Sequence, residues 1–158
     1  MRPRRRRGDI RHEGLGGVLS EAVAEFAVGG LTIALLRKIA YTDRLIRSGK
    51  WESHAMIWSG FKEIETVYGK KVGILGMGAI GKAIARRMKA MGTEILYWSR
   101  SRKPDIEKEV GAVYKPPLED VLRESDIVIL ALPATPPETY HVINGRGLNS
   151  SRGSTSST

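Results

Sequence analysis

The stretch KKVGILGMGAIGKAIARR, Lys70 to Arg87, constrains the fold more than any other part of the chain. The apolar run KVGIL, Lys71 to Leu75, has the length and composition of a buried strand. It passes directly into Gly76-Met77-Gly78-Ala79-Ile80-Gly81, a GxGxxG spacing, and then into a helical pattern from Ala79 to Met91 that Gly92 ends. The spacing alone says little, because glycine is common. Between a strand and a helix it acquires a physical meaning. Gly76 permits a tight turn. Gly78 has no Cβ, so a pyrophosphate can approach the backbone. Gly81 lets the helix pack against the strand. The unpaired N–H groups of the first helical turn, with the helix dipole, then hold the phosphates. The bland alternative is a plain glycine-rich strand–helix turn, and a second strand at the right distance weighs against it.

That second strand is EILYW, Glu94 to Trp98. After it come a short helix near Ile106 to Val110, a short strand near Ala112 to Tyr114, a helix from Pro117 to Ser125, and the apolar strand DIVILALP, Asp126 to Pro133. Alternation of this kind predicts an α/β, Rossmann-type parallel sheet with helices on both faces. A long N-terminal helix precedes it. Ser20 is expected to cap that helix, and apolar residues run at helical spacing from Ala22 to Ile46, with Gly49 as the stop. Gly29 and Gly30 either weaken the helix or let another backbone come close. The segment Trp51 to Gly69 reads as irregular, with Trp51 and Trp58 packed on the main body.

The end of the second strand bears on which dinucleotide is bound. A carboxylate about 20 positions after the glycine loop would bind the ribose 2′-OH of NAD. Here the residues are Ser99-Arg100-Ser101-Arg102-Lys103. No carboxylate stands there to repel a 2′-phosphate, and two hydroxyls and two guanidiniums are present to bind one. NADP(H) is therefore expected to be preferred, with NAD(H) possible.

Composition excludes other classes. There is no cysteine, and His12, His54 and His141 lack ligand spacing, so neither a disulfide framework nor a zinc or haem site is expected. The net charge of +9 raises a second reading, a nucleotide-binding or interaction module that uses basic ends on nucleic acid. Much of the excess lies in Arg2 and Arg4 to Arg7, ahead of any patterned segment, and the rest is mixed with acids. Nucleic acid is accordingly not the expected partner. The longest apolar run, Phe26 to Leu36, is shorter than the roughly 20 residues a bilayer span needs. No signal-peptide order is visible. A cytoplasmic protein without membrane attachment is expected.

Taken together, SEAVAEFAVG, the Leu35–Arg37 region, GKWE at Gly49 to Glu52, YGKKVGILGMGAIGKAIARR and DIVILALPATPPETYHVIN resemble the D-isomer-specific 2-hydroxyacid dehydrogenases. Within them the chain is most similar to archaeal-type glyoxylate or hydroxypyruvate reductases. The resemblance covers about Val18 to Asn144. It implies a nicotinamide-dinucleotide-binding domain, and in full-length relatives hydride transfer between NAD(P)H and a small 2-keto acid. It implies pyrophosphate contacts at Gly78, Ala79, Ile80 and Gly81, and adenosine-ribose contacts at Ser99, Arg100 and Ser101. Leu132 and Pro133 would lie against the nicotinamide-side ribose, with Thr139 nearby. The loop ALPATPPETYH carries one residue more than the usual family loop, which bears on Thr139. The resemblance also implies that the long helix packs on a second subunit, giving a homodimer or aggregation.

The family's substrate-binding arginine and its glutamate–histidine pair have no counterpart here. Arg146 arrives too early, and His54 and His141 lie in unsuitable segments, so no catalytic residue is assigned and the chain alone is expected to be inactive. The domain reading is a basic disordered head at 1–17, an incomplete dinucleotide-binding domain at 18–144 and a disordered small-residue tail at 145–158. A reading-frame slip would explain both ends. With permissible codons, Gly8 to Gly16 read one base later gives GIYVTKVS, and Arg146 to Thr158 read two bases later gives RLKLLEGKYLVN, both family-like. Sequencing the gene with its flanks is expected to show dehydrogenase-like frames on either side; their absence refutes the slip.

Overall fold

The structure is a computed structural model that describes residues 14–49 and 65–132. Its centre is a four-stranded, wholly parallel sheet in the order β3-β2-β1-β4. The strands are β1 (Lys71–Leu75), β2 (Glu94–Trp98), β3 (Val113–Tyr114) and β4 (Ile127–Leu130). Around them run α1 (Gly14–Glu25), a π-helical segment (Phe26–Ile33), α2 (Ala34–Leu36), α3 (Ile39–Arg47), α4 (Ala79–Ala90), α5 (Pro104–Val110) and α6 (Leu118–Glu124). The α/β class and the strand–helix alternation follow the sequence pattern.

Strand periodicity sorts the core into two layers. Val72 and Ile74 of β1, with Ile95 and Tyr97 of β2, join Ala83, Ile84, Ala85 and Met88 of α4 and Ile106 and Val110 of α5. On the other face Leu75 and Leu96 pack with Val121 and Leu122 of α6. Burying one side chain the size of Ile84 or Met88 stabilises by about 1.5–3 kcal/mol. Gly73 faces α6 because nothing larger fits: a Cβ there would lie 2.3 Å from Ser125 Oγ and 2.6 Å from Val121 Cγ1. β1 is paired on both sides, Val72 with Ile95 and with Ile127. Lys71 N–H also donates to the Asp126 carboxylate at 2.8 Å, which fixes the start of β4 against β1.

The N-terminal helix differs from expectation in three ways. Helix α1 begins at Gly14, so Ser20 lies inside it, buried, and does not cap it. The helix is not one regular rod. Phe26–Ile33 is π-helical around Gly29 and Gly30, and the Phe26 ring occupies the space a Gly30 Cβ would need, 2.9 Å away. A break then falls at Lys38, whose φ of 50° is left-handed, before α3 starts. Of the two roles foreseen for Gly29 and Gly30, local weakening is the one seen. Third, the apolar helical stretch is longer than the Phe26–Leu36 run alone. Gly17–Leu36 comprises 20 residues of mean hydropathy 1.6, enough by length and composition to cross a bilayer. Small residues and Val18, Leu19 and Val23 extend it N-terminally.

That helix is nevertheless tied to the sheet domain. Ala24 and Val28 are buried in the first core layer. Glu21 and Glu25 reach the Arg87 guanidinium of α4 at 2.7 and 3.3 Å. Bonding to Glu21 chiefly raises the Arg87 pKa. Moving this helix into a bilayer would strip two carboxylates of that partner. Its outer side stays apolar and exposed, with Val18, Leu19, Phe26 and Leu35 in the open.

Two further ion pairs join α4 to α5. Lys82 bonds Asp105, and Arg86 clasps Glu109 in a bidentate contact at 2.5 and 2.9 Å. Each lowers the pKa of its acid, from ordinary values of 3.8 for Asp105 and 4.5 for Glu109, with the cationic partner as the main cause. A depressed folded-state pKa gives stability that is present above the unfolded value and lost as pH falls through the folded one. The urea midpoint is therefore expected to hold steady above roughly pH 5 and to fall between roughly pH 5 and pH 2. A variant carrying Asp105→Asn and Glu109→Gln is expected to show a flatter fall over the same window. An unchanged profile would show that these exposed pairs contribute nothing measurable.

Candidate functional site

The glycine loop leaves the carboxyl end of β1, between neighbours that extend in opposite directions across the sheet. That crevice, where strand order reverses, is where parallel sheets of this type take ligands. The loop is bonded to both neighbouring strands. Gly76 N–H donates to Trp98 O at 2.8 Å, and Ala131 N–H donates to Leu75 O at 2.8 Å.

Each glycine has its own reason. Gly76 has a φ of 101°, and a Cβ there would lie 2.6 Å from Ala131 O. Gly81 is the tightest of the three: its Cβ would lie 2.0 Å from Gly76 O and 3.5 Å from Ile74 Cγ2. The helix thus packs on the loop's own first carbonyl as well as on the strand. Gly78 is the opposite case. Its φ of −80° suits any residue, and nothing stands within 4 Å of where a Cβ would be. The space is open on the side where a ligand would come against the backbone.

Helix α4 offers its N-terminus to that space. No side chain caps it. The first bond from the helix back to the loop is Lys82 N–H to Gly78 O, at 2.9 Å. This leaves the N–H groups of Ala79, Ile80 and Gly81 without intrahelical acceptors. Ala79 is exposed, Ile80 half-buried and Gly81 buried. Met77 is buried and anchors the loop in the core. Donors aimed into open space beside a missing side chain fit a diphosphate.

At the end of β2 the residues separate. Ser99 is buried, and its Oγ donates to Ser101 O at 2.6 Å, while its carbonyl accepts from Tyr114 OH at 3.3 Å. Its hydroxyl thus shapes the turn. Arg100 and Ser101 are exposed. Arg102 is turned onto Glu107, with Nε at 2.9 Å from Oε1 and Nη2 at 2.8 Å from Oε2. Glu107 also accepts from Tyr97 OH at 2.6 Å. Its pKa is lowered, first by Arg102 and then by Tyr97. Burial, more than Glu107, pushes the Tyr97 phenol up to about 12, so it stays protonated. Lys103, absent from the expected contacts, places Nζ 2.9 Å from Ser101 Oγ. The signal for it was its position at the end of the same basic run. The Arg102–Glu107 pairing spans five residues into a helix start, which no helical spacing rule foretells.

Leu132 packs into the second core layer beside Leu75, Leu96, Val121 and Leu122, and approaches the Gly76 position. The structure so brings Gly76, Gly78 to Gly81, the β2 end and Leu132 to one end of the sheet. Pro133 and Thr139 lie outside the described residues. Among the described residues no cluster of three His, Cys, Asp or Glu side chains forms a metal site.

Comparison with known proteins finds relatives for most of the chain. Residues 29–155 match the family model described as the D-isomer specific 2-hydroxyacid dehydrogenase NAD binding domain. Glyoxylate reductase of Pyrococcus horikoshii is 48% identical over 129 residues, covering 80% of this chain and 37% of that protein. The crystal structure of the PH0520 protein of Pyrococcus horikoshii OT3 superposes with a TM-score of 0.81 at 60% identity, over 87% of this chain and 40% of that one. Apo D-lactate dehydrogenase of Escherichia coli superposes with a TM-score of 0.70 at 30% identity, over 83% of this chain and 38% of that one. The chain thus spans about two-fifths of the length of such relatives.

Gly78 and Gly81 separate folding from binding. Gly81→Ala is expected to destabilise the domain by about 3 kcal/mol or more, because the Cβ meets backbone. Gly78→Ala is expected to leave the urea midpoint nearly unchanged while weakening dinucleotide binding at least about tenfold, a 1.4 kcal/mol effect. Calorimetric titration with chemical denaturation reads both. Undiminished binding by Gly78→Ala would place the phosphates elsewhere.

Proposed function

The chain belongs to the D-isomer-specific 2-hydroxyacid dehydrogenase family, and from that premise we propose that its glycine loop binds NADP(H) in preference to NAD(H). We place this binding in the service of hydride exchange with a small 2-keto acid such as glyoxylate or hydroxypyruvate. The observation that carries the reading is the open backbone at Gly78 facing the unpaired N–H groups of Ala79, Ile80 and Gly81. The preference for NADP(H) is supported by the cationic turn after β2, whose residues 99–103 include no carboxylate and beside which Glu107 is paired with Arg102.

Binding the coenzyme is the part of the reaction that falls to these residues. The backbone donors hold the diphosphate and the basic turn takes the adenosine end. Leu132 and Pro133 border the other ribose, with Thr139 near them. Hydride chemistry itself belongs to the nicotinamide when it is bound. Proton transfer and grip on a substrate carboxylate are assigned to no residue of this chain, so turnover is not expected from it alone. The name of the Pyrococcus horikoshii relative supports glyoxylate as substrate for a full-length protein of this kind. The exposed apolar side of the N-terminal helix supports a homodimer.

Isothermal titration of the chain with NADPH and NADH tests the reading, followed by a glyoxylate reduction assay. Tighter binding of NADPH and no turnover are expected. Equal affinities would remove the preference, failure of both to bind would remove the site, and measurable glyoxylate reduction would show that the chain holds its own acid–base group.

A further inference from the structure

Given the NADP(H) reading above, we propose that Lys103, and not Arg102, is the side chain that selects a ribose 2′-phosphate, and that Tyr97 is its positioning residue. Arg102 and Lys103 are neighbours in the turn after β2, and charge alone does not rank these two, whereas their partners do.

Arg102 is already engaged. One edge of its guanidinium, Nε and Nη2, is bonded to the Glu107 carboxylate at 2.9 and 2.8 Å, which fixes the direction in which the group points. The Glu107 side chain is only 15% exposed, so its carboxylate depends on the few donors it has. If Arg102 turned to a ligand, Glu107 would keep, of these two donors, the Tyr97 hydroxyl at 2.6 Å. A half-buried carboxylate deprived of its cation opposes that movement, though less than a fully buried one would. Planar, two-point bonding is the arrangement in which arginine is least free to change partners.

Lys103 is held differently. Its backbone N–H donates to Tyr97 Oη at 2.8 Å, which fixes where the residue leaves the turn. Tyr97 is itself immobile. Its ring is fully buried in the first core layer and tilted against Tyr114, with centroids 5.2 Å apart. The Lys103 ammonium rests on Ser101 Oγ at 2.9 Å. That contact uses one of three ammonium donors. The cation and the hydroxyl therefore stand together, and a phosphate oxygen can bond both without breaking an ion pair. The start of the same turn is linked to the glycine loop through Gly76 N–H and Trp98 O, so the two ends of the site are fixed to each other.

The chemistry predicted for this subsite is a phosphate monoester on a ribose, read by an ammonium and a hydroxyl. Tyr97 acts at a distance, through the backbone of Lys103, and touches no ligand. The tyrosine hydroxyl is the joint: it accepts from Lys103 and donates to Glu107, so one buried group both places the lysine and helps keep Arg102 withdrawn.

The test is titration of the whole chain and its variants with NADPH and NADH, after wild-type binding has been measured. Lys103 lies outside both core clusters, so its substitution leaves the packing intact. Lys103→Met is expected to weaken NADPH about tenfold, as loss of a charge-assisted phosphate bond should, and to leave NADH within about twofold. Lys103→Arg is expected to recover most of the preference. Tyr97→Phe keeps the ring and removes the joint, and is expected to weaken NADPH about threefold with NADH unmoved. A purely structural loss would weaken both alike. The combined variant Arg102→Met with Glu107→Gln removes the ion pair without changing net charge, and keeps an acceptor for Tyr97. It is expected to retain the wild-type ratio of the two affinities. A preference that survives Lys103→Met, or one lost in the combined variant, overturns the assignment while leaving the NADP(H) reading standing. Equal wild-type affinities overturn both.

Discussion

The contact on which the rest depends is between Gly81 and the carbonyl of Gly76. A Cβ at Gly81 would lie 2.0 Å from that oxygen, so any other residue would push α4 off the loop. With no side chain there, the first turn of α4 lies directly over the end of β1. Its N–H groups then converge on the open space at Gly78. The same close approach lets Ile84 and Met88 reach Ile74 and Tyr97 in one core layer. At Gly81 the site and the stability of the domain therefore share an origin, and a change that spoils this contact disturbs both.

The sheet turns this local contact into a cleft. Because β1 is hydrogen-bonded to β2 on one side and β4 on the other, the loop at its end borders both neighbours. Gly76 bonds to the last residue of β2, and the residue after β4 bonds to the last of β1. The diphosphate donors, the basic turn and Leu132 are thus brought together from segments more than 50 residues apart in the chain. Parallel strands need such crossovers, and each crossover here supplies one wall.

The parts of this arrangement that were legible in the sequence are those governed by short-range rules. Near-continuous apolar runs of β-type residues marked β1 and β2 to the residue. Gly92, with a φ of 80°, marked the end of α4, and the glycine spacing marked the loop. Chain ends and long helices obey weaker rules. Ser20 has the chemistry of a cap, but its neighbours Gly17, Val18 and Leu19 continue the helix through it, and burial against the domain keeps Ser20 inside. The π-helical turn arises from Phe26 settling on Gly30, a contact that no periodicity announces. The left-handed Lys38 divides α2 from α3 without glycine or proline to signal it.

The basic turn illustrates a harder limit. Read in order, Ser99-Arg100-Ser101-Arg102-Lys103 presents equivalent donors, and counting charge treats Arg102 and Lys103 alike. Folding makes them unequal, because α5 brings Glu107 beneath the turn and β2 brings the Tyr97 hydroxyl between them. One acid, supplied by a helix held on the domain by buried Ile106 and Val110 and by the α4–α5 ion pairs, makes Arg102 and Lys103 unequal. The electrostatic character of this end of the site is therefore a property of helix docking as much as of composition. It follows that residues far from any ligand, such as those holding α5 on α4, tune what the turn can recognise.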